Sequence, residues 1–184
     1  MPPPASHPVL SARDQHQWLV EHIPHRVRAV LPKIPMKGRW SFPWVGNLAA
    51  TDQVRECVGS STHEGRLTAI RWLIMFVGIK APKTHWRTFV GNYAVESPLV
   101  GPSDVRIDRL DGGILFPTGH LDAMKLGLVW RGCSQATSHP TQDSDHPPIG
   151  DDKIAEALEI VIAHLETTIY AHAQADLRKL TLGY

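Results

Sequence analysis

Cysteine is scarce in this chain of 184 residues: there are two, Cys57 and Cys133. They stand far apart, in neither a C-x-x-C nor a zinc-finger spacing, which argues against a disulfide framework. A surplus of charge is missing as well. Lys and Arg total 19 against 18 Asp and Glu, so the formal net charge is +1 and no whole-chain field draws the protein to nucleic acid or to a membrane. Long apolar runs are absent too. The most apolar stretch, Trp72 to Val77, is far shorter than the ~18 residues a membrane span needs. The start, Met1-Pro-Pro-Pro, offers neither the basic n-region nor the apolar h-region of a signal peptide. These absences imply a soluble chain with the cytoplasm as its place. No G-x-G-x-x-G, Walker, G-x-S-x-G or H-E-x-x-H pattern occurs, so nucleotide-dependent chemistry is not indicated. No repeat of the length that builds solenoids is found.

The length fits one domain. A domain of this size hides about 70% of the surface its unfolded chain exposes, so stability requires no metal, disulfide or cofactor, and no cofactor is expected. Residues 1–10 carry four prolines and read as a disordered leader, leaving 11–184 as a single helical domain. Ser11 with Asp14 approximates a capping box. Trp18, Leu19, Ile23, Val27, Val30 and Leu31 then recur at helical spacing, with Pro24 kinking or splitting the helix. The first forty residues are basic on balance, which a solvated helix face explains. Prolines and glycines between Lys33 and Asn47 predict a loop carrying Trp40, Phe42 and Trp44.

A short helix over 48–58 is expected next, and Ser61 with Glu64 marks the cap of another that ends at Val77 with Gly78 as its C-cap. Thr84 caps a further helix reaching Glu96. Val105 to Phe116, two short apolar runs around Gly112-Gly113, predicts a small β-hairpin. Thr118 is read as the cap of a helix with Leu121, Met124, Leu128 and Val129 on one face, reaching Arg131 or slightly beyond. Asp151 is read as the cap of the longest helix, whose Ile154, Leu158, Val161, Ile162, Leu165 and Ile169 form a steady apolar face toward Leu180. The expected architecture is an all-α bundle of five or six helices with a long C-terminal helix.

The richest polar segment runs from Arg131 to His146, and loops held by rigid elements are where function often resides. A helix ending in an arginine, a short polar segment with a histidine and a long final helix together resemble the HEPN superfamily of small helical bundles, many of which cut RNA without metal. The resemblance covers the final third of the chain. The family's arginine and histidine fall on Arg131 and His139, and the seven residues between them are one more than the family's usual limit. It implies that His139 handles the proton of a ribose 2′-OH or of the leaving oxygen, while Arg131 stabilises charge on the phosphate. It also implies two copies facing each other in a homodimer, RNA as partner, and a role in a toxin or defence system. Ser134, Thr137, Ser138, Asp145 and His146 are the residues expected to bind around that pair.

Two other readings stand beside it. Cys133, His139, Asp143, Asp145 and His146, joined by His120 or His164, have the chemistry of a transition-metal site without a recognised ligand spacing. Alternatively the segment is a connector whose hydroxyls satisfy backbone groups, in a non-catalytic interaction or assembly module. Cys133 with His139 also has the composition of a thiol nucleophile and its base. A small buried thiol explains the cysteine equally well.

Overall fold

The computed structural model describes residues 8–31, 52–80, 105–138 and 149–182, with backbone alone for 52–62, 135–138 and 182. Helix α1, Ala12–Gln17, begins as the sequence predicts. Ser11 accepts from the Asp14 N–H at 3.2 Å and donates to its carboxylate at 2.7 Å, satisfying one of the orphan donors of a helix start. The helix widens into a π turn over Trp18–His22 and resumes as α2, Ile23–Val30. Pro24 is responsible for the end of the widened register. The Ile23 N–H donates to the Trp18 carbonyl, and the next bond in that series would run from residue 24 to Leu19, where proline has no N–H. The orphaned Leu19 carbonyl instead accepts from the Tyr170 hydroxyl at 2.7 Å.

Helix α3, Asp52–Phe76, spans 25 residues and about 37 Å at 1.5 Å per residue. It corrects the expectation of two helices divided at Ser61. No proline interrupts residues 52–76, and the Gly59-Ser60-Ser61 stretch costs a continuous helix only about 1 kcal/mol at its glycine. The C-terminus ends as expected at Gly78, whose φ is +94°. The Gly78 and Ile79 N–H groups donate to Met75 and Ile74 carbonyls at 3.0 and 3.1 Å, the paired bonds of a Schellman cap.

Residues 105–116 form no hairpin, which corrects that expectation. A 3₁₀ turn, Ile107–Arg109, is followed by a turn with Gly112 at φ +72°, and the Phe116 N–H donates to the Val77 carbonyl at 2.9 Å. Ile107, Leu110 and Phe116 are buried in the helical core, whereas Ile114 is 63% exposed, so the two runs do not pair with each other. No β-strand occurs among the described residues. Within the stretch expected to be a leader, residues 8–10 lie against this segment: the Leu10 N–H donates to the Arg109 carbonyl at 2.9 Å.

Helix α4, Leu121–Ser138, continues seven residues past Arg131. Its cap is His120 rather than Thr118, because the Asp122 N–H donates to His120 Nδ1 at 3.2 Å. Helix α5, Asp151–Leu165, has Gly150 rather than Asp151 at its N-cap. Asp151 instead accepts from Arg66 at 2.8 Å, and Arg66 also donates to the Val30 carbonyl at 3.0 Å, tying the end of α2 to α3 and to the start of α5. A second π turn, Glu166–Tyr170, follows α5. There the Thr167 and Thr168 hydroxyls donate to the Ala163 and His164 carbonyls at 2.8 and 2.6 Å, a competition that disturbs regular helix. The chain breaks at Gln174, φ +53°, before α6, Leu177–Leu182. The helix expected to be the longest is therefore two, and α3 exceeds both.

The fold is all-α. Helix α3 lies centrally, packed on α2, α4 and α5, with α6 on α2. Ile23, Val27, Ile70, Leu73, Ile74, Val77, Leu126, Ile154, Val161, Leu165 and Ile169 form the shared core, and the expected apolar face of α5 is buried throughout. Trp72 escapes full burial and stacks between neighbours: its ring centroid lies 5.6 Å from Trp18 and 5.2 Å from Phe76, nearly parallel to both. No helix among the described residues is long and apolar enough to cross a membrane. The loop over 33–47 and the helix from Thr84 to Glu96 lie outside the described residues.

Candidate functional site

Arg131 sits inside α4, half-buried, so it does not terminate the helix as its sequence context suggests. Its Nε is buried and has no hydrogen-bond partner among the described residues, and burial alone lowers the guanidinium's affinity for its proton from the ordinary value. An arginine remains charged after such a shift. A buried donor without an acceptor is costly, and here it belongs to the one cation that the resemblance singles out.

The residue before it carries a second feature. Arg71 of α3 lies 5.5 Å from the ring centroid of Trp130, and Lys80 lies 6.0 Å from the same ring, within the range of cation–π attraction. The Trp130 Nε1 is also buried, without a partner among the described residues. Packing of α3 on α4 thus brings Arg71, and Lys80 just beyond α3, to the indole that precedes Arg131 in the chain. The sequence reading missed this group because Arg71 and Lys80 stand 50 or more positions before Trp130; only Arg131 was legible in advance.

Cys133 lies two residues after Arg131 and is fully buried. Burial pushes its thiol up to about 12, and the nearby Arg71 charge only partly opposes this. The thiol therefore stays protonated at neutral pH and is no nucleophile, which sets aside the cysteine-nucleophile reading. Ser134 turns inward to its own helix, donating to the Trp130 carbonyl at 2.8 Å, and offers its hydrogen to nothing outside α4. Thr137 and Ser138 lie on the last turn of α4. Their side chains, and His139, Asp143, Asp145 and His146 entirely, lie outside the described residues.

Among the described residues no group of three His, Cys, Asp or Glu could hold a metal ion. His120 and His164, the helix-borne residues of the metal reading, are brought together elsewhere: both line a cleft between the start of α4 and α5, and both rings contact Phe116, with centroids 6.1 and 4.9 Å away. Compared with protein-family models, curated proteins and solved structures, the chain matches none.

Proposed function

We propose that this chain is an RNA-binding helical bundle with HEPN-like, metal-independent cleavage chemistry, of the kind used in toxin and defence systems, centred on Arg131 and His139. The observation that carries the reading is the half-buried Arg131, whose Nε finds no hydrogen-bond partner among the described residues, following in the chain an indole that has Arg71 and Lys80 over its ring. Clustered cations supply phosphate attraction, and aromatic faces suit unpaired bases. An arginine keeps its charge when partly buried, and a guanidinium is suited to a phosphate oxygen. In the proposed reaction the His139 imidazole takes the proton of a ribose 2′-OH as that oxygen attacks phosphorus. The 5′-oxygen leaves and is protonated, and Arg131 stabilises the charge on the phosphate. A two-fold pair of chains would complete the site. Incubation of the purified protein with single-stranded RNA in EDTA tests this: the wild type should yield fragments ending in 2′,3′-cyclic phosphate, and His139→Ala should leave the RNA intact.

A non-catalytic assembly module is the second reading. Leu121 and Leu128 favour it, since they stand two turns apart on α4 with 64% and 44% of their surface exposed, the spacing of an apolar contact stripe. It differs in outcome, because RNA would then survive the wild-type protein.

A further inference from the structure

The cleft between the 114–122 segment and α5 has a volume of about 560 Å³, within the range of small-molecule sites. Its wall is Phe116, Ile160 and Ala163, and its polar groups are His120, Asp122, Glu159, His164 and Thr167. The hydrogen bonds around the two imidazoles determine which nitrogen of each remains available.

His164 Nε2 lies 2.7 Å from the Ile114 carbonyl. A carbonyl only accepts, so Nε2 carries the proton and Nδ1 is left as an acceptor. Burial lowers the His164 pKa from its ordinary value, keeping that lone pair available at neutral pH. His120 is fixed in the opposite sense. The Asp122 N–H donates to its Nδ1 at 3.2 Å, with Asp122 Oδ2 3.4 Å from the same nitrogen; a ring that accepts the N–H bond at Nδ1 carries its proton on Nε2 and is a donor there. The rim carboxylates are already compensated: Asp122 pairs with Lys125 at 3.1 Å, and Glu159 with Arg178 at 3.0 Å. A strongly charged ligand therefore gains little from this rim. A flat ring can lie among Phe116, His120 and His164, while a donor and an acceptor on its edge meet the two imidazoles.

We propose that this cleft binds an uncharged planar heterocycle of the nucleobase type, with His120 Nε2–H donating to a ring acceptor and His164 Nδ1 accepting from an amino or ring N–H group. The site is separate from the Arg131 region. Asp122 and Arg131 are nine residues apart on α4, about 13 Å along the axis.

The test uses the full chain at pH 7.5, titrated with adenosine, cytidine, guanosine and uridine, while calorimetry and the imidazole NMR signals of His120 and His164 are followed. At least one nucleoside should bind and move both sets of signals. His120→Ala, at an exposed position, should weaken binding ~5- to 10-fold, the net worth of one hydrogen bond, and Ala163→Trp should abolish it by filling the cleft. A single-stranded RNA decamer forms the second arm. If it moves the same signals at far lower concentration than the nucleoside, the base belongs to RNA; if the two are equal, the ligand is a free nucleoside or base. Signals unmoved by all four nucleosides at millimolar concentration and by the decamer would overturn the proposal, as would binding that survives both variants. The outcome is independent of cleavage by Arg131 and His139, because neither variant touches that pair.

Discussion

Pro24 removes one N–H from the first helix, and the vacancy is filled from near the other end of the chain. The Tyr170 hydroxyl donates to the stranded Leu19 carbonyl at 2.7 Å from an almost wholly buried side chain, and burial raises its pKa well above the ordinary value. It therefore stays protonated as a donor at any physiological pH. Tyr170→Phe keeps the packing and removes the donor, which leaves a partly buried carbonyl without that bond. Urea unfolding should show a loss of about 1–3 kcal/mol with an unchanged m-value. His164 makes a second prediction at this scale. Its folded pKa is depressed, chiefly by burial, so below the unfolded value of about 6.5 the unfolded chain binds the proton more readily. Folding stability should decrease as the pH is lowered through that window, and His164→Gln should flatten the decrease relative to wild type. Equal slopes for the two proteins between pH 7 and 5 would contradict the assignment.

At the scale of elements, the glycine that ends α3 has two reasons to be glycine. Its φ is +94°, and a Cβ there would stand 2.7 Å from Leu115 Cδ2. Gly78→Ala should lower stability by about 1–2 kcal/mol for the left-handed backbone, with the Leu115 contact adding to the loss, measurable by thermal or urea unfolding. That stop was legible in the sequence because a positive-φ C-cap is a local property. So were the Ser11 cap and the apolar rows of α5. The errors arose where tertiary contacts outweighed local signals. Ser61 and Glu64 match a capping box, yet nothing between residues 58 and 61 breaks the helix that passes through them. Thr118 lost the cap of α4 to His120, whose imidazole reaches the Asp122 N–H. The hairpin failed because Ile107, Leu110 and Phe116 had a helical core to enter. The break at Gln174 followed no proline or glycine, and the periodicity before and after it masked it.

Over the whole molecule, the all-α architecture could be read from spacing alone, whereas the site could be read only in part. Arg131 was visible as a residue of the segment, but Arg71, Lys80 and Trp130 become neighbours only when α3 packs on α4. His120, Phe116 and His164 likewise meet only because the segment before α4 folds across α5. Chemistry assembled between elements leaves no contiguous motif. The proposed division of labour places phosphate chemistry toward the end of α4 and base recognition at its start. The most direct measurement of the central claim is the single-turnover cleavage rate of a short RNA in EDTA by the wild type, Arg131→Ala and His139→Ala. The account predicts measurable wild-type cleavage and a fall of at least ~100-fold in each variant, the scale of a lost acid–base or charge-stabilising group. Intact RNA with the wild type, or equal rates for all three proteins, would contradict it.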